Sequence, residues 1–187
     1  MNKQDTNDKS FFGFWVYLMT DLVMFAALFA TFAVLRNNTF GGPTGRDLFN
    51  LQFVLSETLI LLSSSFTAGL ALNAAHLNDK KKLIIWLLLT LLLGITFLGM
   101  ELTEFSKLIN EGNSWERSGF LSAFFTLVGT HGLHIAAGLL WLIVLLVNIF
   151  KHNLNKAIIR KLTLFSLFWH FLDIVWIFIF TIVYLMA

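Results

Sequence analysis

Five long apolar runs constrain this chain more than any other feature of its sequence. They are Phe12–Leu35, Leu51–Ala75, Leu83–Phe105, Leu121–Ile149 and Leu162–Met186. A helix that rises about 1.5 Å per residue needs roughly 20 apolar residues to cross a hydrocarbon core about 30 Å thick. A membrane β-strand needs only about 9–11 residues, which alternate in polarity, and these runs do not. We therefore predict an all-α polytopic membrane protein, a bundle of five transmembrane helices, because a helix satisfies its own backbone in lipid.

The composition excludes several other classes of protein. Of the 187 residues, 57% are hydrophobic and 13% are charged, whereas a soluble domain carries about 25% charged residues. The chain has no cysteine, which excludes disulfides, thiolate metal sites and cysteine nucleophiles. Its formal net charge of +2 is too small for a nucleic-acid-binding face, so no nucleic-acid partner is expected. We expect a single membrane domain over residues 1–187.

Basic residues in the connections predict the orientation of the chain in the membrane. Those expected on the same side as the N-terminus are Lys3, Lys9, Lys80, Lys81, Lys82, Lys151, Lys156, Arg160 and Lys161. Those expected on the opposite side are Arg36, Arg46, Lys107 and Arg117. The positive-inside rule places the larger set in the cytoplasm. We therefore expect a cytoplasmic N-terminus and a C-terminus on the outer side.

Eight acidic or imidazole side chains lie within the runs or at their ends. They are Asp21, Glu57, Glu101, Glu104, His131, His134, His170 and Asp173. An ionised side chain at the centre of a membrane helix costs roughly 2.5–3.5 kcal/mol on insertion scales. No Lys or Arg lies within a run to pair with these groups. They must therefore face protein, water or lipid head groups, or stay uncharged.

The spacing of these side chains leaves three interpretations open. Glu101 and Glu104, His131 and His134, and His170 and Asp173 are i,i+3 pairs, so each pair shares one helix face. The side chains could form a polar network that holds the helices in register. They could supply the ligand pairs of a metal site, or they could form a proton or ion path.

Counting residues along each run predicts the depth of these groups at about 1.5 Å per residue. The three glutamates fall nearer the outer surface. The other five fall in the middle layer, and we predict a buried network between helices there, with lipid head groups at its edges. The five are Asp21, His131, His134, His170 and Asp173.

Small side chains predict two faces of close helix packing. One face lies in the second run, at residues 63–65, 67–69 and 71, and the other lies around the two histidines of the fourth run, at residues 129–138. Small residues allow membrane helices to approach closely. Trp169 and Trp176 are expected to contact neighbouring helices or lipid.

Three motifs resemble signatures of subunit III of the haem–copper terminal oxidases. Residues 129–135 read G-T-H-G-L-H-I and are similar to the family's H-G-L-H-V. Residues 169–176 read W-H-F-L-D-I-V-W and are similar to W-H-F-V-D-V-V-W. Residues 102–105, L-T-E-F, resemble A-S-E-Y. The order and spacing of the motifs agree over all five runs, so the resemblance covers nearly the whole chain.

Finer details resemble the quinol-oxidising branch of that family, the cytochrome o ubiquinol oxidases. These are F-G-F-W-V-Y-L-M at residues 12–19, G-G-P-T-G at 41–45 and R-S-G-F-L-S-A-F-F at 117–125. The chain lacks the first two of the seven helices of the mitochondrial form, and the resemblance implies that subunit I carries their equivalents. The family commonly has a buried Glu in the first matching helix, where this chain has the shorter Asp21.

The resemblance implies an accessory subunit without a redox cofactor or an active site of its own. Such a subunit packs against subunit I, which carries the haems and copper, holds phospholipid in a cleft and supports proton uptake. The complex oxidises quinol, reduces dioxygen to water and pumps protons in the bacterial inner membrane. Catalytic subunits of this class use six histidine ligands, and this chain has five histidines in all. It also lacks the cysteines that a dinuclear copper centre requires.

Two alternatives to this function stay open at this point. A stand-alone membrane transporter or metal-dependent membrane enzyme could use the same Glu, His and Asp pairs. A purely structural or assembly subunit would have no proton role. Stoichiometric metal in the purified chain would favour the first alternative, and an unchanged proton-to-electron ratio without the chain would favour the second.

Overall fold

The computed structural model describes residues 3–41, 45–152 and 154–186, with the side chains of residues 3–8, 46 and 47 outside the description. Its helices are α1 (Lys3–Leu35), α2 (Gly45–Leu48), α3 (Leu51–His76), α4 (Lys80–Asn110), α5 (Gly119–Lys151) and α6 (Lys156–Ile179). A π-helical segment, Phe180–Leu185, continues α6. Five of the helices are long and apolar enough to cross a membrane. The predicted all-α bundle of five transmembrane helices is confirmed.

The starts of α3, α4, α5 and α6 are set by polar caps in the connections, and α4, α5 and α6 begin before the apolar runs. The side chains of Asn50, Asp79, Ser118 and Asn155 accept hydrogen bonds from backbone N–H groups in the first turns of α3, α4, α5 and α6. These caps satisfy donors that have no partner within the helix. Of the turn cluster at residues 41–45, residues 42–44 lie outside the described part of the chain.

The helices pack as a bundle with α1 at its edge. Helices α3 and α4 form the most extensive pair, and α6 packs against α3 and α5. Helix α4 also packs against α5, while α1 packs against α5 and α6. The short connection between α3 and α4 favours this hairpin. Every membrane helix therefore contacts α5 or α6, the two helices that carry the histidine motifs.

Two tryptophans of α6 join that helix to α3 in the core. Trp169 Nε1 donates a hydrogen bond of 3.0 Å to Ser64 Oγ, and Trp176 Nε1 donates one of 3.0 Å to Thr58 Oγ1. Both indole rings are almost completely buried. A Cβ atom at Gly138 of α5 would lie 2.8 Å from the Trp169 ring, so the absence of a side chain there makes room for the indole. The structure agrees with the predicted small-residue packing on both helices.

The π-helical segment changes the direction in which the last residues of the bundle point. Met186 N donates to Thr181 O at 3.1 Å, five residues back along the chain. The wider turn directs Tyr184 inward, where its side chain is buried. Such turns occur frequently at functional sites in helical proteins. In this chain the turn delivers a phenol to a group of glutamates on α3 and α4.

Candidate functional site

Three glutamates and a tyrosine meet in the interior, on the side of the bundle where α3 begins and α4 ends. Glu57, Glu101 and Glu104 are 0%, 2% and 9% exposed. The hydroxyl of Tyr184 donates a hydrogen bond of 2.8 Å to Glu104 Oε2. The three carboxyl groups lie within electrostatic range of one another. We call Glu57, Glu101, Glu104 and Tyr184 the carboxyl cluster.

The carboxyl group of Glu101 lies against the backbone of α5. A Cβ atom at Gly132 would lie 2.6 Å from Glu101 Oε1, so any larger residue at that position would displace the carboxyl group. Neither oxygen of Glu101 and neither oxygen of Glu57 has a hydrogen-bond partner among the described residues. Gly132 stands between the two histidines of the H-G-L-H motif. The glycine of that motif therefore provides space for an acidic side chain of α4.

His131 is an interhelical contact between α5 and α6. Its side chain is fully buried, and its Nε2 donates to Leu172 O over 3.2 Å. The imidazole ring lies 5.0 Å from the ring of Trp176 and 5.9 Å from that of Phe97, measured between centroids. This environment gives His131 a packing role that joins the two histidine motifs.

His134 contacts α1, whereas His131 contacts α6. Its Nδ1 donates to Thr130 O at 2.7 Å, which directs Nε2 toward Asp21. The distance from His134 Nε2 to Asp21 Oδ2 is 3.8 Å, which is within ion-pair range and longer than a hydrogen bond. Asp21 is buried. The pair therefore links α1 to α5.

His170 and Asp173 diverge although they share an i,i+3 spacing. Asp173 is buried and faces Ser65 of α3. His170 is exposed, and its Nδ1 donates to Ser166 O of its own helix at 2.7 Å. Residues three positions apart differ in direction by about 60° around a helix. At the edge of the bundle this difference is enough to turn one side chain inward and the other outward.

The prediction of one buried network for the five middle-layer groups is wrong in this form. Asp21 and His134 form one pair, while His131 and Asp173 contact other helices separately. His170 lies on an apolar groove of about 450 Å³ between α1 and α6. The structure instead brings together the three glutamates that were expected nearer the surface. Sequence reasoning missed Tyr184 as their partner, because the π-helical turn that places it inward leaves no recognisable pattern.

The ligand pairs seen in the sequence do not combine into a metal site. Among the residues that the structure describes, no group of three or more His, Asp or Glu side chains could hold a metal ion. The side chains of these pairs face a hydroxyl, a backbone carbonyl, a glycine or a single side chain of another helix. The metal interpretation therefore has no support in the geometry of the described residues.

Comparison with known protein families places nearly the whole chain in one of them. Residues 5–187 match the family described as cytochrome c oxidase subunit III. The chain belongs to the cytochrome c oxidase subunit III family. This membership confirms the resemblance seen in the H-G-L-H-I and W-H-F-L-D-I-V-W motifs. The family motifs are the segments that form the α5–α6 contact and the space for Glu101.

Relatives within the family carry names from more than one branch. The chain is 56% identical to the cytochrome bo(3) ubiquinol oxidase subunit 3 of Pseudomonas aeruginosa, over 98% of this chain and 88% of that protein. It is 47% identical to the cytochrome c oxidase subunit 3 of Bacillus sp. strain PS3, over 95% of this chain and 86% of that protein. It is 45% identical to the quinol oxidase subunit 3 of Bacillus spizizenii, over 99% of this chain and 91% of that protein.

Proposed function

We propose that this chain is the accessory third subunit of a proton-pumping ubiquinol oxidase of the bacterial inner membrane. The observation that carries the proposal is the 56% identity to a cytochrome bo(3) ubiquinol oxidase subunit 3 over 98% of the chain. In this role the chain stabilises subunit I, which carries the haems and copper, and supports its proton uptake. The complex transfers electrons from quinol to dioxygen.

A non-catalytic role is supported by how the chain uses its own polar groups. His131 and the two core tryptophans make contacts between helices. The five histidines of the sequence are fewer than the six that a haem–copper catalytic subunit uses. The chain would therefore contribute a scaffold, and no cofactor would bind to it.

The lipid-facing surface offers a place for phospholipid and for subunit I. The groove between α1 and α6 is lined almost entirely by apolar side chains, including Trp15, Met19 and Phe171, with His170 as the exception. An imidazole that faces hydrocarbon is costly unless a polar partner covers it. We place a phospholipid or a segment of subunit I over this groove.

The orientation follows from the positive-inside rule, with the N-terminus in the cytoplasm and the C-terminus in the periplasm. The natural chain has no cysteine, so single cysteines can be introduced without background. A cysteine at Lys156 should react with a membrane-impermeant maleimide only after the cells are opened. A cysteine at Glu116 should react in intact spheroplasts. The reverse pattern would contradict the proposed orientation.

The function is tested by purifying the chain in mild detergent and by deleting it. We expect subunit I and its haems to co-purify with the chain. The complex without the chain should still oxidise quinol, but it should lose activity faster during turnover and pump fewer protons per electron. Stoichiometric metal or haem on the isolated chain would contradict the proposal. A deletion that leaves durability and proton stoichiometry unchanged would contradict the supporting role.

A further inference from the structure

We propose that the carboxyl cluster is a proton-binding site, in which Glu57, Glu101 and Glu104 hold protons that they share with one another and with bridging water. The proposal concerns a site on this chain itself and does not depend on which electron donor the complex uses. It rests on the burial of the three carboxyl groups, their mutual proximity and their lack of other partners.

The first step is the absence of compensating charge, among the described residues, around Glu57 and Glu101. The charged neighbours of Glu57 are Glu101 and Glu104, and these two glutamates also interact with each other. Lys107 acts on Glu104, but its ammonium group is at the surface and lies 3.9 Å from Glu111 Oε1. Three negative charges without a buried cation are strongly disfavoured in a low-dielectric interior. Bound protons are the simplest way to remove this repulsion.

The second step is the hydrogen-bonding capacity of the cluster. Both oxygens of Glu57 and both of Glu101 are buried and have no hydrogen-bond donor among the described residues. An ionised carboxyl group only accepts, whereas a protonated one also donates. Protonation therefore supplies donors where the described protein groups supply only the hydroxyl of Tyr184. Water that bridges neighbouring carboxyl groups satisfies the remaining oxygens.

Neighbouring titratable groups lie on α5, on α6 and in the π-helical segment. On α5, His131 directs Nε2 to the carbonyl of Leu172, while its buried Nδ1 has no hydrogen-bond partner among the described residues. On α6, Asp173 faces Ser65, and His170 faces the groove between α1 and α6. The π-helical segment contributes Tyr184, which donates to Glu104. The three carboxyl groups and this phenol therefore make up the titratable content of the site in the described part of the chain.

Two further observations favour protons over a metal ion as the ligand. The acidic groups do not form a set that could hold a metal ion among the described residues. The ring of Tyr184 also contacts Phe49 at 4.7 Å and Phe124 at 5.9 Å between centroids, so aromatic side chains cover the phenol. A proton can pass along hydrogen bonds, so it fits this enclosure better than a hydrated cation does.

Infrared spectroscopy of the assembled oxidase tests this proposal directly. Difference spectra at neutral pH compare the wild-type complex with Glu57→Gln and Glu101→Gln, and with Glu116→Gln as the control at an exposed position in a connection. We expect one or both of the cluster variants to lose intensity in the C=O stretching band of protonated carboxylic acids. In the wild-type complex this band should move to lower frequency in deuterium oxide. The control variant should keep the band unchanged.

Other outcomes would overturn the proposal. Loss of intensity only in the bands of ionised carboxylate would show that the cluster holds negative charge. Failure of both cluster variants to assemble, while the control assembles, would also count against it, because a neutral amide should replace a neutral acid. The variant Tyr184→Phe provides an independent readout. It removes the hydrogen bond to Glu104, so an unchanged carboxylic acid band in that variant would contradict a shared network.

Discussion

His134 Nε2 lies 3.8 Å from Asp21 Oδ2, and this polar contact connects α1 to α5. Helix α1 packs against α5 and α6 at the edge of the bundle. Much of its surface is exposed, including Phe12, Val23 and Val34. The attachment of α1 therefore depends on a narrow strip of contacts, of which this polar pair is one.

Replacing His134 with Leu should loosen α1. The substitution leaves the buried carboxyl group of Asp21 without its imidazole partner, which we expect to cost about 1–3 kcal/mol. Thermal unfolding of the purified complex should show a lower midpoint than that of the wild type. The substitution should also increase the rate of hydrogen exchange more in α1 than in α3. The matched control is Leu133→Ala, because Leu133 lies on the same helix and is 72% exposed. Equal effects of the two variants would show that the pair contributes nothing specific.

The contact between Trp169 and Ser64 should give a measurable coupling energy. We expect Trp169→Phe and Ser64→Ala each to destabilise the complex. A double-mutant cycle should then yield a coupling of about 0.5–1.7 kcal/mol, the range of hydrogen bonds between membrane helices. The corresponding change Trp115→Phe should have little effect because Trp115 is 53% exposed. Strict additivity of the two core substitutions would contradict an energetic role for the hydrogen bond.

Two glycines should respond oppositely to alanine. A Cβ atom at Gly138 would lie 2.8 Å from the Trp169 ring, whereas one at Gly99 would have no neighbour within 4 Å. Overpacking in a core typically costs about 1–3 kcal/mol, so Gly138→Ala should lower the unfolding midpoint. At the open position, the higher helix propensity of alanine should leave stability equal or improved by up to about 1 kcal/mol. Similar responses at both positions would contradict the packing described here.

The stability of the first turn of α4 should depend on pH. The backbone N–H of Lys82 donates to Asp79 Oδ1, and this hydrogen bond is the main cause that lowers the pKa of Asp79 below its usual value. A lowered pKa in the folded state means that the cap stabilises the helix above the unfolded pKa of about 3.9. This contribution is lost as the pH falls through the folded value.

Hydrogen exchange in the first turn of α4 measures this effect. Protection should decrease below about pH 4 in the wild-type chain, relative to the first turn of α6, whose cap is the non-titrating Asn155. The variant Asp79→Asn keeps a capping oxygen and should remove the difference in pH dependence between the two turns. If the difference persists in this variant, another group must cause it.

The number and type of the helices could be predicted because lipid leaves the backbone few choices. The apolar runs predicted five helices, but they did not predict the starts of α3, α4, α5 and α6, which lie at polar caps. Within the described residues, α1 already includes Lys3, well before Phe12, because helical winding continues through polar residues without a need for lipid. Hydrophobicity locates the membrane-spanning segments, whereas capping hydrogen bonds locate the starts of α3, α4, α5 and α6.

The arrangement of the site could be predicted only in part. Depth along a helix can be counted from the sequence, and the three glutamates, expected nearer the outer surface, lie together where α3 begins and α4 ends. The direction of a side chain around its helix depends on which neighbours pack there. His170 and Asp173 show this, since the same motif directs one to a groove at the bundle edge and the other to α3. The contact between Glu101 and Gly132 likewise requires knowing that α4 packs on α5.

The wide turn at the end of α6 makes the position of the phenol depend on backbone winding as well as on sequence. If residues 180–184 were wound as an ordinary α-helix, at about 100° per residue, Tyr184 would lie at a different angle around the helix axis. The hydroxyl would then point away from Glu104 without any change in the identity of either residue. An alignment that counts only matching letters would record both as retained, although the contact between them would be gone.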